Sequence, residues 1–195
     1  MKKYWYWLLL GVLWTTGCMT FTAKKYYMLH LSVPDPSTFA ILDKVLIADP
    51  TEADSLYDDF RMVYRLSPYE INYYSFNFWS EKPAKLIHNS LLDFLLRSRV
   101  FKDVRAETTR DDADLRLKSR LLVIEEIDTE NTWYARLAME LEIIDIRSGK
   151  TVALRRFDTR KPLPVKSLSE VSVAVSKILE GELSSLLTEL TKKEH

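Results

Sequence analysis

Two long segments of alternating apolar and polar residues, between positions 115 and 145, constrain the fold most strongly. Side chains of a β-strand alternate between two faces, so this pattern is typical of strands with one buried face. The residues expected to face the core are Leu115, Leu117, Leu121 and Val123 in the first segment and Leu137, Met139, Leu141 and Ile143 in the second. The turn sequence RSGK leads into a further strand, TVALRRFDT. The three strands predict antiparallel sheet.

Two segments with helical spacing frame these strands. Ser80 is predicted to cap a helix that runs to about Arg99, with an apolar stripe that includes Leu91 and Phe94. Ser167 and Glu170 form a predicted capping box for a final helix to about Lys192. Each helix has one apolar face, which indicates packing against the sheet.

The segment before the first helix is rich in strand-forming residues. The runs YYMLHLSV, FAILDKVLIA, FRMVYRL and EINYYSFNFW are separated by turn residues. The acidic segment 49–59 is predicted to be a loop or a single helical turn and has no assigned role. The predicted class is therefore α+β, an antiparallel or mixed sheet of about six strands with two main helices packed on one face. The predicted order is strands, helix, three strands, helix.

The single cysteine, Cys18, follows a stretch that resembles a bacterial lipoprotein signal. Lys2 and Lys3 precede an apolar run that is about half the ~20 residues needed to cross a bilayer. Thr15 departs from the pattern, which prefers leucine there, and an incidental thiol is the alternative reading. We expect a signal peptide at 1–17, acylation of Cys18, a short tether at 18–25 and one domain at 26–195. Met19, rather than aspartate, favours lipid anchoring at the periplasmic face of the outer membrane.

The composition argues against several functions. Loss of Lys2 and Lys3 leaves slightly fewer basic residues than the 28 acidic ones, which disfavours a nucleic-acid partner. Four glycines in the whole chain cannot form a glycine-rich phosphate loop. The three histidines have no paired metal-ligand spacing, and no nucleophile motif occurs. We expect no enzyme activity, no metal and no cofactor beyond the covalent lipid on Cys18.

The chain contains two clusters of acidic residues near the ends of the first alternating segment. Asp111, Asp112 and Asp114 form one, and Glu125, Glu126 and Asp128 form the other. They could hold a cation or act as an acid–base pair. Their surroundings resemble turns and strand ends, so we expect a solvated surface.

The concentration of aromatic residues between Tyr64 and Trp79 has two explanations. The rings can pack the helices onto the sheet, or some can line a lipid-accessible groove or a subunit contact. The candidates for partner or lipid contact are Tyr64, Tyr73, Tyr74 and Trp79.

The segment from Phe60 to Val104 resembles the signature of the ABC-type transport auxiliary lipoproteins. It has a VYR-type strand, a YY strand closed by tryptophan, a proline in the next helix and a short VFKDV. The later alternating strands and the amphipathic tail agree with that family. The resemblance implies an auxiliary component of an ABC transporter with an MCE (mammalian cell entry) domain protein as partner, which moves phospholipids or other hydrophobic molecules.

The resemblance also implies relatives that form homo-oligomeric rings on an MCE tunnel. Two alternatives stay open beside this adaptor. The protein could be a lipid-binding carrier with an apolar pocket of its own, or an envelope assembly lipoprotein unrelated to transport.

Overall fold

A computed structural model describes residues 22–32, 35–106, 113–129 and 132–193, which form one mixed β-sheet and two long helices. The strands are β1 (Lys25–Tyr27), β2 (Leu42–Ala48), β3 (Glu52–Ala53), β4 (Arg61–Ser67), β5 (Glu70–Trp79), β6 (Phe101–Ala106), β7 (Leu115–Asp128), β8 (Trp133–Asp145) and β9 (Thr151–Pro162). The helices are α1 (Pro83–Ser98) and α2 (Leu168–Lys193). The predicted α+β class is confirmed, with more strands in the described residues than the six expected.

Strand β7 organises the sheet. One of its edges pairs antiparallel with β8 along its whole length, and β8 pairs antiparallel with β9. Its other edge is shared by three strands that run parallel to it: β2 pairs beside Leu115, β3 beside Arg120, and β4 beside Glu126. Strand β6 continues the sheet beyond β2, and β5 and β1 continue it beyond β4.

A β-bulge in β7 changes the side-chain alternation after Leu121. Leu121 opposes Met139 but Val123 opposes Ala138, so one extra residue enters β7. As a result Ile124 lies in the core, where it is 1% exposed. Val123 is only partly buried and packs against the core cluster from outside. The prediction of Val123 as the next core residue was wrong because a single inserted residue exchanges the two faces of a strand.

Both helices join one hydrophobic cluster with the inner face of the sheet. Leu91 and Phe94 of α1 and Val175 and Leu183 of α2 are each at most 1% exposed, and they share that cluster with Leu137 of β8. Helix α1 contacts β6 and β7, whereas α2 contacts β8 and β9. The two amphipathic stripes therefore bury against the same layer, as predicted.

Residues 28–32, here called the strap, are extended but do not form the predicted strand. Their backbone groups bond to side chains of α2 instead of to a neighbouring strand. The amide of His30 donates to Ser176 Oγ at 3.1 Å, the amide of Ser32 donates to Glu180 at 3.1 Å, and the Ser172 hydroxyl donates to the Met28 carbonyl. The alternation in this segment reflects Leu29 and Leu31, which are 8% and 3% exposed.

Two details around α1 also differ from the sequence-based expectation. Ser80 does not cap the helix: its amide donates to the Tyr27 carbonyl at 2.8 Å, and the helix begins at Pro83 after Lys82. The residues after α1 form β6, which was not predicted as a strand. The apolar start of β6, Phe101, is 6% exposed because it pairs with Leu42 of β2.

Candidate functional site

Glu126, on the inner face of β7, is a carboxylate buried among aromatic side chains. It is 1% exposed and accepts hydrogen bonds from the Tyr74 hydroxyl at 3.0 and 3.2 Å and from the Trp133 indole nitrogen. Burial raises the pKa of Glu126 to about 7, although both hydrogen bonds act in the opposite direction. Burial and the neighbouring Glu126 raise the pKa of Tyr74 as well. This carboxyl group therefore gains or loses its proton near neutral pH.

Its neighbour Glu125 lies on the opposite face and is paired with two arginines. Its side chain is 0% exposed. One oxygen accepts from the Tyr57 hydroxyl and from Arg65 Nε, each at 2.7 Å, and the other accepts from Arg136 at 3.0 Å. Three donors, two of them charged, compensate for the loss of solvation that burial imposes on a carboxylate.

Arg136 links this buried charge to the surface. It makes two hydrogen bonds of 2.7 Å to the two oxygens of Asp158. Asp158 and Glu125 together raise the pKa of Arg136, with the hydrogen bonds to Asp158 the larger cause. The result is a charge network that crosses β7, β8 and β9.

The acidic segment 49–59 has a structural role at this site. It contains β3 and a single turn of 3-10 helix at Ser55–Tyr57, so the prediction of loop or one helical turn was correct apart from the two-residue strand. Tyr57 is 3% exposed, and burial raises its pKa to about 12. Asp49 and Asp54 accept hydrogen bonds from Arg116 and Arg120. The segment thus covers the edge of β7 and supplies a donor to Glu125.

The expectation that both acidic clusters are solvated was wrong for Glu125 and Glu126. The donors to Glu125 come from positions 57, 65 and 136, which no local pattern connects to it. Asp114 accepts a hydrogen bond from the Val45 amide at 2.9 Å, and Asp128 pairs with Lys166 at 2.6 Å. Asp111 and Asp112 lie outside the described residues.

The four predicted aromatic contact residues occupy three different environments. Tyr64 and Tyr74 are adjacent, with ring centroids 4.6 Å apart. Tyr73 instead donates to the Leu56 carbonyl at 3.0 Å, and the Arg61 guanidinium lies 4.4 Å from its ring centre. Trp79 is 2% exposed and belongs to the core, so it has no surface for a partner.

A large irregularity in the β4–β5 pairing explains this separation. Arg61 opposes Phe78 but Val63 opposes Tyr73, so Met62 alone faces residues 74–77 of β5. Met62 and Val63 are both buried. Regular alternation cannot place the aromatic residues of such a strand. Cys18 and residues 19–21 of the tether lie outside the described residues.

Two further observations on the described residues concern metal binding and membrane crossing. No three His, Cys, Asp or Glu side chains in the described ranges are grouped so that they could hold a metal ion. None of the helices formed by those residues has the length and apolar character needed to cross a membrane. Glu126 is 1% exposed, and its carboxyl group bonds to Tyr74 and Trp133 within the core.

Residues 31–184 match the family described as the ABC-type transport auxiliary lipoprotein component. The chain belongs to this family. The matched region of the auxiliary lipoprotein runs from Leu31 of the strap to Ser184 of α2 and includes both buried carboxyls. Membership makes the protein an auxiliary component of an ABC-type transport system, as the resemblance implied. Cys18 precedes the matched region, so its acylation stays a prediction.

Solved structures confirm the fold of the auxiliary lipoprotein. Protein XCC0632 from Xanthomonas campestris, of the DUF330 family, is 17% identical over 87% of this chain and 97% of its own, with a TM-score of 0.74. An uncharacterized protein is 14% identical over 89% of this chain and 100% of its own, with a TM-score of 0.65. A PelC dodecamer from Paraburkholderia phytofirmans is 12% identical over 80% of this chain and 92% of its own, with a TM-score of 0.43. No curated protein matches the chain.

Proposed function

We propose that this protein is a non-catalytic adaptor, anchored in the outer membrane through Cys18, that assists an MCE-type ABC transport system. The proposed cargo is phospholipid or another hydrophobic molecule, and the proposed partner is the periplasmic MCE-domain protein. The family match over residues 31–184 carries the proposal. The adaptor acts by contact, as a homo-oligomeric ring or as a single copy.

The packing between the helices favours the adaptor over a carrier. A carrier needs an apolar pocket of about 300 Å³ or more for its ligand. Leu29 and Leu31 of the strap are buried and belong to the core cluster, and the strap is bonded to α2 at Ser172, Ser176 and Glu180. The chain's own leucines thus occupy the place beside α2 where a carrier would hold an acyl chain.

The cleft beside the strap is also unlike an acyl-chain pocket. It has a volume of about 400 Å³ and is lined by His30, Glu81, Asn89 and Asp93 in addition to apolar residues. A hydrocarbon chain there would remove those polar groups from water without new hydrogen bonds, which is unfavourable.

We place the partner contact around Tyr73. Tyr73 bonds to the Leu56 carbonyl, and Arg61, which follows Phe60, stacks on the Tyr73 ring. Leu56 and Phe60 are each 47% exposed. Aromatic and arginine side chains with exposed apolar neighbours are typical of the centre of protein interfaces.

Co-purification from cross-linked envelopes tests the partner. The wild-type protein is expected to recover the MCE-domain protein, and the double variant Leu56→Ser with Phe60→Ser is expected to recover less of it. Leu154→Ser, which changes a leucine that is 46% exposed on β9, is the matched control. If neither the wild type nor the control recovers an MCE protein, the proposed partner is wrong.

Replacement of the lipidated residue tests the anchor. Cys18→Ser is expected to release the protein from the membrane and to abolish its contribution to the permeability barrier, measured by uptake of a dye that intact envelopes exclude. Full barrier function of a non-lipidated protein would contradict anchoring as part of the function. Native mass spectrometry of the wild type would show a bound lipid for a carrier, and an empty monomer or ring for the adaptor.

A further inference from the structure

Three exposed apolar residues lie at the same end of the sheet. Tyr69 and Leu66, in and beside the β4–β5 turn, are 97% and 55% exposed, and Val165, after β9, is 58% exposed. Leu163 N donates to the Trp133 carbonyl at the start of β8, and β4 ends beside residues 126 and 127 of β7, so all three belong to the same end. We call residues 66–70 and 160–166 the hairpin end.

A cleft with an excess of positive charge opens beside this end. It has a volume of about 500 Å³, and its lining includes Arg65, Arg136 and Arg160 together with Leu66 and Pro68. Arg136 and Arg160 are directly opposite each other in the β8–β9 pair. Arg136 is bound to Glu125 and Asp158, which offsets the repulsion between these like charges. Arg160 is the arginine of this pair from which an anionic group can approach.

The carboxylates at the cleft are already engaged. Both oxygens of Glu125 and both oxygens of Asp158 accept hydrogen bonds from arginines or Tyr57. The lining contains three guanidinium groups and one carboxylate, that of Glu125, so its net charge is positive even when Asp158, which binds Arg136, is counted. Arg160 is exposed to solvent.

The direction of β1 brings the membrane tether to the same end. β1 runs parallel to β5, with Lys25 beside Asn77, so the chain enters β1 from the side on which β5 begins. β5 begins at Glu70, in the hairpin end. Six residues lie between Cys18 and Lys25, so the seven steps from one Cα to the next allow a span of at most about 25 Å. The distance along β5 from Glu70 to Asn77 is at most about 23 Å, so the anchor can reach the level of the turn.

We propose that the hairpin end lies on the lipid bilayer that holds the anchor. Tyr69 and Leu66 sit at the boundary between headgroups and acyl chains, and Arg160 contacts the phosphate groups of anionic phospholipids. Tyrosine combines an apolar ring with a polar tip, and arginine keeps its charge in the headgroup layer, so both suit this boundary. The inference rests on the lipid anchor of the proposed function.

In this orientation one end of the sheet faces the bilayer and the other end faces away from it. The β8–β9 turn, residues 146–150, lies at the opposite end, since β8 ends and β9 begins there. It faces away from the bilayer. The contact around Tyr73 lies along the side of the sheet and stays accessible to a protein partner.

Depth-dependent quenching tests the orientation. The mature protein, extracted from cell envelopes in detergent, is reconstituted in phosphatidylcholine vesicles that contain a lipid spin-labelled in its headgroup, with or without phosphatidylglycerol. A fluorophore is attached to a cysteine introduced by Glu70→Cys or, at the opposite end, by Arg147→Cys, because Cys18 is the only native cysteine. Quenching is expected to be several-fold stronger at position 70 than at 147. Equal quenching at the two positions would overturn the inference.

Substitutions in the Glu70→Cys background test the residues. Leu66→Ser with Tyr69→Ser is expected to lower the quenching, whereas Ile41→Ser, at a residue that is 75% exposed elsewhere, leaves it unchanged. Arg160→Gln is expected to remove the additional quenching that phosphatidylglycerol causes, and added salt should weaken that part too. Arg156→Gln, which removes an exposed arginine of the same strand, is the control.

Flotation of the same vesicles separates the two proposals. If the protein floats with the vesicles but position 70 is not preferentially quenched, the orientation is wrong and the anchor stands. If the protein does not float with the vesicles, both the anchor and the orientation are wrong.

Discussion

The Tyr74 hydroxyl donates to both oxygens of Glu126, at 3.0 and 3.2 Å, and thereby connects β5 to β7 across the intervening strand β4. The Tyr64 ring of β4 lies against the Tyr74 ring in the same layer. A buried carboxyl group with neutral donors, rather than a charged partner, is the distinguishing feature of this part of the core. Its protonation should therefore affect stability.

We expect the stability of the protein to depend on pH through Glu126. The pKa of Glu126 rises from 4.5 to about 7 on folding, so the folded state binds the proton more tightly than the unfolded state. The stabilisation is complete below about pH 4.5 and is lost as the pH rises through about 7. Over that window the free energy of unfolding should fall by up to about 3 kcal/mol, at about 1.4 kcal/mol per tenfold change in affinity.

Urea unfolding of the wild type and of Glu126→Gln between pH 4.5 and 8 measures this dependence. Glutamine has similar size and no titration, so the variant should lack the decrease. Glu140→Gln, at a half-buried carboxylate on the outer side of β8 that pairs with Arg156, is the control and should retain it. A wild-type curve that is flat over this window would show that Glu126 does not titrate there.

The bond between Arg136 and Glu125 predicts a second effect. Arg136→Met should destabilise the protein by about 3 kcal/mol, because the carboxylate of Glu125 stays buried with one charged donor fewer. Arg156→Met on β9 breaks an exposed pair with Glu140 and should cost no more than about 1 kcal/mol. Chemical denaturation of both variants gives the comparison. Equal, small losses would mean that Glu125 is adequately held by Tyr57 and Arg65 alone.

Periodicity predicted the elements whose environment is set by local sequence. The residues of β8 alternate as expected, with Leu137, Met139 and Leu141 buried and Glu140 and Glu142 outside. Both amphipathic helices were predicted within a few residues of their observed ends. In these segments one face meets the core along the whole element, so burial follows the spacing of apolar residues.

Prediction failed where distant segments determine burial. Glu125 and Glu126 were predicted to be solvated because the residues that donate hydrogen bonds to them lie far away in the chain. For the same reason, the acidic segment that contains Tyr57 had no assigned role. The aromatic residues of β5 could not be separated into core and surface, because the irregular pairing opposite Met62 breaks the alternation. The strap was predicted to be a strand because Leu29 and Leu31 alternate with exposed residues. Its hydrogen bonds go to helix α2 instead of to a neighbouring strand.

The end of α1 offers a stabilising substitution. Arg99 has a φ of 54° in the left-handed conformation that follows the helix, where a side chain costs about 1–2 kcal/mol. Glycine has no such cost, so Arg99→Gly should raise the free energy of unfolding by about 1 kcal/mol. Arg99→Ala keeps the β-carbon and should give no gain. Thermal or urea unfolding of both variants measures the difference. If Arg99→Ala is stabilised as much as Arg99→Gly, the gain comes from the lost charge and not from the backbone conformation.

The strap gives the last prediction, which concerns how the anchor region is held to the domain. Leu31 is 3% exposed in the core cluster, and its loss in Leu31→Ala should cost about 2–5 kcal/mol through lost burial and a residual cavity. Met28, in the same strap, is 68% exposed, so Met28→Ala should change stability by at most about 0.5 kcal/mol. Hydrogen exchange at the amides of His30 and Ser32, which bond to α2, should accelerate in Leu31→Ala before the rest of the sheet opens. If those amides exchange only with global unfolding in both variants, the strap is an integral part of the core and not a separately detachable link to the tether.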